Sequence, residues 1–171
     1  QGYAVATAFL PQQEISGGVI EIRIVLGRLG AVQINNTADL ADGQAQKAAA
    51  VLKQGELLRT DRLETVLNNL SDLAGITAVG ILRAGQAHGT SDFVINIEAD
   101  RPVETILYTD NYGNKYSGRY RYGFQTTVNN PGKLGDKFFL GGMLSNDNLH
   151  NYNLGYEMPV GSRGTKLGVS Y

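Results

Sequence analysis

The chain has 171 residues, a formal net charge of −1 and no cysteine. The length allows one large domain or two small ones, and the near-neutral charge argues against nucleic-acid binding. The lack of cysteine excludes a disulfide scaffold, and no run approaches the ~20 apolar residues of a membrane-spanning helix, which leaves soluble domains, a β-rich membrane segment, or both.

Composition changes near residue 100. All fifteen alanines lie at or before Ala99, whereas eight of the nine tyrosines lie after residue 100. Alanine favours helices and tyrosine favours strands, and Pro102 marks a boundary because proline cannot donate to a central ladder. We therefore expect a mixed α/β part through Asp100 and an all-β part from Arg101–Pro102 onward.

The first elements are two strands, at about 3–10 and 19–26, joined by a loop that contains Gly17-Gly18. Their alternating pattern recurs 73 residues later, which suggests tandem small domains, although two hairpins can also resemble each other by chance. The repeated positions are Ile20, Ile22 and Ile24, matched by Phe93, Ile95 and Ile97. The first domain would then contribute only its last two strands.

The order strand, helix, helix, strand, strand is predicted over residues 28–101. Leu29 to Ile34 alternates as a strand, and the alanine-rich run Gln44 to Lys53 predicts a helix that ends at Gly55. Two helices on one face of a three-stranded sheet would form a small two-layer core.

The second helix has the stronger pattern. Thr60 or Asp61 is its predicted N-cap, Asp61 and Glu64 have the spacing of a capping box, and Gly75 follows its end. One face of the helix is apolar, formed by Leu63, Val66, Leu67 and Leu70. These four residues are predicted to fill the core.

The rest of the chain predicts five sequential antiparallel strands. The first is Glu104 to Asp110, whose facing the sequence does not assign, and the other four alternate with period 2. Turn residues separate them at Asn111 to Asn114, Asn129 to Gly132, Asn146 to Asn148 and Pro159 to Gly161.

The alternation gives this sheet one apolar and one polar face. An outer face rich in aromatics with a polar interior is typical of outer-membrane barrels, although a soluble barrel or sandwich fits the alternation equally well. The residues predicted to face lipid are Tyr120, Tyr122, Phe124, Tyr152, Leu154, Tyr156, Leu167 and Val169. Those predicted to face a barrel lumen are Arg119, Arg121, Gln125, Glu157 and Lys166. Five strands cannot close such a barrel, so this interpretation predicts a part of a longer protein.

We find no pattern that predicts catalysis. His88, Ser91 and Asp92 fall within five residues of one loop without a nucleophile elbow, and the loop aspartates match no calcium-binding loop. The sequence therefore predicts no enzyme, no catalytic residue, no metal site and no cofactor.

Short runs along the whole chain carry a resemblance to a known family. They are Gly2-Tyr3, Leu10-Pro11-Gln12, Gly18 to Gly27, Leu63-Glu64, Leu73 to Ile76, Gly85, Gly89 to Phe93, Asp110 to Gly118, Asn130 to Gly132, Leu134 to Asp136 and Gly155 to Gly161. In this order they resemble the outer-membrane transporters of two-partner secretion, the haemolysin-activation/secretion and filamentous-haemagglutinin transporter family of the Omp85 superfamily.

The resemblance implies an α+β POTRA domain (β-α-α-β-β) followed by an antiparallel meander that forms the first strands of a transmembrane β-barrel. Residues 1–27 would be the C-terminal hairpin of a first POTRA domain, 28–101 a second, and 102–171 a truncated barrel. It also implies residence in the outer membrane of a Gram-negative bacterium, with the POTRA part in the periplasm. The partners would be outer-membrane lipid and an exoprotein of haemolysin or adhesin type that bears a two-partner secretion domain, with no nucleic acid.

The POTRA fold that the chain resembles places the strand Thr77 to Arg83 at the edge of its sheet. An unfolded exoprotein could add to this edge as a further strand. The residues predicted to bind it are Val79, Ile81, Leu82 and Arg83, with the apolar ones forming a groove beside the neighbouring helix; alternatively, Val79 and Ile81 only fill the core. Two other functions stay open, an Omp85-type assembly factor for outer-membrane proteins and a soluble structural β-protein.

Overall fold

A computed structural model describes residues 2–13, 18–161 and 164–171. Gly17 of the predicted first loop lies outside these residues. Within them, β1 (Ala6–Phe9) and β2 (Arg23–Leu26) form an antiparallel pair. The two strands predicted near the start of the chain are thus present, although both are shorter than the alternation suggested.

The second sheet has three strands. They are β3 (Arg28–Asn36), β4 (Ile76–Ala84) and β5 (Thr90–Ala99), in the spatial order β3-β5-β4. The central strand β5 is parallel to β3 and antiparallel to β4. Because β5 lies between the other two, its side chains are the most deeply covered of the sheet.

Two helices, α1 (Asp42–Ala49) and α2 (Thr60–Ser71), connect β3 to β4. The apolar face of α2 packs on the sheet as predicted, with Val66 and Leu70 fully buried and Leu67 partly covered. Alternate side chains of β5 meet this face, namely Phe93, Ile95 and Ile97. We refer to β3, α1, α2, β4 and β5 together as the α/β unit.

The first helix ends earlier than predicted. It stops at Ala49 rather than near Lys53, and Gly55 does not cap it. Instead, the Gly55 N–H donates to the Leu29 carbonyl at 2.7 Å, and the Leu29 N–H donates to the Glu56 carbonyl at 2.8 Å. Pairing with the main chain of β3 satisfies these backbone groups, and a helix that continued to Lys53 would compete with this pairing.

The predicted capping box of α2 is wrong. Arg59 occupies the N-cap position, and no side chain caps the helix. The Thr60 N–H donates instead to the Gly2 carbonyl at 3.0 Å, and Asp61 forms an ion pair with Arg59 at 3.0 Å. The segment before β1 therefore supplies an acceptor, whereas the sequence predicts a cap from a local side chain.

The third sheet is a meander of five antiparallel strands. It runs in the spatial order β10-β9-β8-β7-β6, so that each strand pairs with its neighbours in sequence. The strands are β6 (Val103–Asp110), β7 (Arg121–Asn129), β8 (Lys137–Ser145), β9 (His150–Val160) and β10 (Thr165–Ser170). We call it the five-stranded sheet.

One predicted turn of this sheet is wrong. Pro159 and Val160 belong to β9, where they pair with Lys166 and Thr165 of β10. The paired part of β8 begins at Lys137, opposite Glu157, so no strand lies beside Pro159 on its other side. A proline that lacks an N–H is tolerated where no ladder bond is needed.

No second layer covers the five-stranded sheet within the described residues. Every buried apolar side chain among them belongs to the α/β unit or its connections, from Leu29 to Ile97. The α/β unit has a core between its helices and its sheet, whereas the five-stranded sheet leaves the rings of Tyr122 and Tyr152 more than half exposed.

We expect Leu70→Ala to destabilise the α/β unit by about 2–5 kcal/mol, because it removes a fully buried side chain and leaves a cavity. Hydrogen exchange of the β5 amides in the full-length protein measures this loss. Glu64→Ala, on the exposed side of the same helix, is the control and should leave exchange nearly unchanged. Equal effects of both changes would contradict the packing described here.

Candidate functional site

The strand β4 forms one edge of the α/β sheet. It pairs with β5 on one side, and no described strand pairs with its other side. Backbone N–H and C=O groups at such an edge are available to another chain unless something else occupies them. The question is therefore which groups of β4 point outward.

Hydrogen bonds at both ends of β4 show which of its residues direct their backbone groups outward. The Asp100 N–H donates to the Gly75 carbonyl at 2.9 Å, and the Gly85 N–H donates to the Thr90 carbonyl at 3.0 Å. In an antiparallel pair, every second residue exchanges both bonds with its partner. Residues 77, 79, 81 and 83 therefore bond inward to β5, and residues 78, 80, 82 and 84 direct their backbone groups outward.

Part of this outward edge is already occupied. The Ala78 N–H donates to the Ser71 hydroxyl at 3.2 Å, and the Ile76 N–H donates to the Leu73 carbonyl at 3.3 Å. Gly80, Leu82 and Ala84 have no such outward partner among the described residues. The open edge is the stretch 80–84.

The predicted groove at this edge requires a correction. Val79 and Ile81 point to the sheet face opposite the helices and are 53 % and 39 % exposed, whereas Leu82 points toward α2 and packs on the core. The two sets are separated because successive side chains of a strand alternate between faces. Val79 and Ile81 therefore neither fill the core nor line a groove with α2, and Arg83 is exposed on their side.

The pairing register divides the five-stranded sheet into two faces. We call the face that carries Tyr122, Phe124, Leu140, Leu154 and Leu167 the apolar face, and the opposite one the polar face. Register also assigns β6, which the sequence left open: Leu107 pairs with Phe124 and belongs to the apolar face.

The residues predicted to face lipid are mostly exposed. Tyr156 is half-buried, and the other seven are exposed. The exposed ones are Tyr120, Tyr122, Phe124, Tyr152, Leu154, Leu167 and Val169. Tyr120 precedes β7 and donates its N–H to the Asn146 side chain at 2.9 Å, so it belongs to a connection rather than to a strand. Tyr156 differs because its hydroxyl is bound within the protein.

The residues predicted to face a lumen lie mostly on the polar face, and several are paired. Arg121 forms an ion pair with Asp110 at 2.7 Å. Glu157 lies between Lys137 and Lys166, at 3.7 and 3.6 Å. Gln125 is exposed on this face, whereas Arg119 is exposed in the connection before β7.

Aromatic rings also cover glycines on the polar face. A Cβ atom at Gly123 would collide with the ring of Tyr108, and one at Gly155 would collide with the ring of Phe139. Glycine at these positions permits the rings to lie flat on the neighbouring strand. This explains why Phe139 interrupts the alternation without spoiling the sheet.

Sequence reasoning placed Asp136 in a turn but missed its burial. Its side chain is 1 % exposed, and its carboxylate accepts hydrogen bonds from the Gly132 N–H at 2.9 Å and the Tyr156 hydroxyl at 2.7 Å. The Leu134 N–H adds a third donor at 3.3 Å. A charged group is stable when buried only with such partners, so this carboxylate fixes the turn 130–136 between β7 and β8.

That turn docks on the α/β unit. The Ala41 N–H donates to the Lys133 carbonyl at 2.7 Å, and the Ala74 N–H donates to the Gly135 carbonyl at 3.1 Å. Lys133 also forms an ion pair with Asp39 at 2.6 Å. A Cβ atom at Gly135, whose φ is +75°, would lie 2.6 Å from that of Leu73, so only glycine allows this approach.

Two other features bear on chemistry. Among the described residues, no group of three or more His, Cys, Asp or Glu side chains has the arrangement of a metal site. None of the helices within those residues is long and apolar enough to cross a membrane.

Comparisons with known proteins show which family the chain resembles. Residues 89–171 match the family described as haemolysin secretion/activation protein ShlB/FhaC/HecB. The heme/hemopexin transporter protein HuxB of Haemophilus influenzae is 32% identical over 170 residues, which are 98% of this chain and 30% of HuxB. Residues 89–171 are thus similar to the ShlB/FhaC/HecB family, and nearly the whole chain is similar to HuxB.

Other proteins are similar over the same length of the chain. The outer membrane transporter CdiB of Dickeya dadantii is 25% identical and aligns with 100% of the chain and 30% of its own length. The solved structure of CdiB from Escherichia coli has a TM-score of 0.67 at 27% identity and covers 94% of the chain, which is 30% of that structure. BamA from Haemophilus ducreyi, at 17% identity and a TM-score of 0.59, shares the fold.

CdiB of Dickeya dadantii is described as an outer membrane transporter, and HuxB as a heme/hemopexin transporter protein. The chain spans about 30% of the length of the relatives it matches.

We expect Asp136→Asn to destabilise the junction by about 1–3 kcal/mol at neutral pH, because an amide cannot replace both carboxylate oxygens as acceptors. Burial by itself would raise the pKa of Asp136, but the hydrogen bonds from Tyr156 and the turn amides outweigh it and hold the pKa below its ordinary value. The stabilisation is present above the unfolded pKa of ~3.9 and disappears as the pH falls through the folded value.

Thermal unfolding of the full-length protein in detergent, followed from pH 7 to pH 3, checks this prediction. The gap between the wild type and Asp136→Asn should be constant near neutrality and shrink below about pH 4. Asp147→Asn, in the exposed turn between β8 and β9, is the matched control. A gap that is independent of pH, or an equal effect of the control, would contradict the role of Asp136.

Proposed function

We propose that the chain is part of an outer-membrane transporter that exports a large exoprotein bearing a two-partner secretion domain. In this proposal, residues 1–27 end a first POTRA domain, 28–101 form a second, and 102–171 provide the first five strands of a transmembrane β-barrel. The observation that carries it is the apolar face of the five-stranded sheet, which no other described part of the chain covers.

The membrane assignment follows from the surroundings that this face requires. In water its exposed rings and aliphatic side chains would be unfavourable by roughly 25 cal/mol per Å², whereas hydrocarbon removes that cost. The strands of the sheet have 6 to 11 residues, compatible with the ~9–11 of a transmembrane strand for the longer ones. No described strand pairs with the outer side of β6 or of β10, and further strands of a barrel would occupy these sides.

The first hairpin fits the end of a larger domain. Ile20, Ile22 and Ile24 are all more than half exposed, and of the three only Ile24 lies in β2. Their alternation in the sequence predicts one common face. A domain that supplies a further strand and helices would cover this face, as α1 and α2 cover the equivalent positions in β5.

The orientation follows from the junction. The turn 130–136 contacts the α/β unit, so this end of the five-stranded sheet would lie at the periplasmic surface if the α/β unit is periplasmic. The connections 111–120 and 146–149 would then face the exterior. Arg121, Gln125, Glu157 and Lys166 would line the lumen, with Arg119 at its outer mouth.

Exoprotein binding is assigned to the open edge of β4. A polypeptide that crosses the membrane unfolded presents backbone donors and acceptors, and the free groups of Gly80, Leu82 and Ala84 are suited to pair with them. Pairing through the backbone depends little on side chains, so one edge can serve a long and varied sequence.

Secretion of a co-encoded exoprotein, measured in the culture supernatant with and without this gene, tests the function. We expect secretion to be lost without the gene and restored by the full-length protein. Unchanged secretion, or a full-length protein found in the soluble fraction of the cell, would overturn the proposal.

We expect Leu82→Pro to weaken binding of the exoprotein's secretion domain by about tenfold or more, because it removes an outward N–H and places a ring at the open edge. Leu82→Ala keeps the N–H and is the control for the lost side chain, with binding expected within about threefold of the wild type. Binding is measured with immobilised full-length transporter.

Proline at position 81 is unsuitable for this test, because the Ile81 N–H bonds inward to β5. Retention of full affinity by a folded Leu82→Pro variant would remove the edge from the proposed mechanism.

A further inference from the structure

The open edge of β4 is short, and Ser71 limits it. The Ser71 hydroxyl occupies the Ala78 N–H, so an added strand can make both backbone hydrogen bonds only with Gly80, Leu82 and Ala84. At ~3.4 Å per residue this stretch is about 14 Å long, which corresponds to a partner segment of about five residues. A longer segment would have to displace the Ser71 side chain from the edge.

The side chains beside this edge are of two kinds. Val79 and Ile81 present apolar surface on the open face of the sheet, and Arg83 follows on the same face. In an added strand, every second residue would point to this face and lie beside one of these three side chains. The edge therefore offers two apolar positions and one cationic position in a row.

Arg83 has no ion pair among the described residues. Asp92, which is directly opposite on β5, turns instead to β3, where its carboxylate accepts a hydrogen bond from the Ala31 N–H at 2.7 Å. The guanidinium is thus left without its cross-strand partner. An acidic residue in an added strand would provide the missing charge.

We propose, on the basis of the function proposed above, that β4 selects a short segment of the exoprotein with the pattern acidic–x–apolar–x–apolar. The added strand is antiparallel, the commoner arrangement, so its acidic residue meets Arg83 first and its apolar residues lie beside Ile81 and Val79. Ser71 ends the pairing at Ala78. Arg83 and Ser71 thus determine which segment binds and in which register.

Peptide binding to the full-length protein in detergent micelles tests this proposal. The probe is a fluorescent six-residue peptide, Thr-Glu-Thr-Val-Thr-Ile, which would lie opposite residues 84 to 79, and its counterpart has Lys in place of Glu; anisotropy gives the affinities. Arg83→Glu should weaken binding of the acidic peptide by about fivefold and strengthen binding of the Lys peptide by a similar factor. Lys47→Glu, on the exposed surface of α1, changes the net charge equally and should alter neither.

The length limit has its own test. A peptide extended by Thr-Val at its C-terminus should gain nothing on the wild type, whereas on Ser71→Ala it should bind about fivefold more tightly than the shorter peptide. Ser71→Thr keeps a hydroxyl acceptor and should behave as the wild type. Each variant is accepted only if its thermal unfolding matches that of the wild type.

The outcomes separate this proposal from the function on which it rests. The selection rule is overturned if Arg83→Glu changes the affinities of the Glu and Lys peptides in the same direction. It is also overturned if the extended peptide gains the same affinity on the wild type as on Ser71→Ala. Either result counts even if the exoprotein is secreted. Peptide binding that follows the rule, together with secretion that survives Leu82→Pro, supports the edge site and overturns its role in export.

Discussion

The arrangement of the chain depends on the buried carboxylate of Asp136. It gathers two turn amides and the Tyr156 hydroxyl, and so holds the turn 130–136 in the one conformation that fits between α1, α2 and the five-stranded sheet. Tyr156 belongs to β9, so the same carboxylate ties the turn between β7 and β8 to the next hairpin, β8–β9. A single charge thus links the turn, that hairpin and, through the turn, the α/β unit.

Burial explains why such a small group has this effect. A buried carboxylate is unfavourable unless hydrogen-bond donors surround it. The positions of these donors are therefore fixed by the hydrogen bonds that they make to the carboxylate. An apolar residue at the same place would pack but would not specify the position of the amides. The close contact of Gly135 with Leu73 then requires that the turn be held accurately, because there is no room for another side chain.

Much of the fold could be predicted from local periodicity. The helix face of Val66 and Leu70, the alternation of β5 and the five strands of the meander all follow from which side chains must be covered. The predictions failed where a distant part of the chain supplies a hydrogen bond. The cap of α2 comes from Gly2, the end of α1 is set by Leu29, and no local pattern reveals either.

The candidate site shows the same limit. The sequence pointed to the strand with Val79 and Ile81. The hydrogen bonds at the ends of β4 show that the backbone groups of these two residues bond inward to β5, and the exposure of their side chains shows that they face away from α2. Asp136 looked like an ordinary turn residue in an Asn/Gly-rich run, because burial and the approach of Tyr156 depend on strands that are 20 residues apart. Its one visible signal was its place after Leu134-Gly135, within the resemblance to the family.

The two faces of the five-stranded sheet have opposite requirements. On the polar face, Arg121 meets Asp110, and Glu157 lies between two lysines, so the charges are compensated locally. Such compensation matters most where a sheet is thin and one side is to face hydrocarbon, because water can then screen charges from one side only. On the apolar face there are no charges to compensate, and the side chains need only a solvent that does not penalise them. A sheet built in this way can cover only its apolar face, by a second protein layer or by lipid, while its polar face stays in water. In the proposed barrel, lipid on one side and an aqueous lumen on the other meet both requirements.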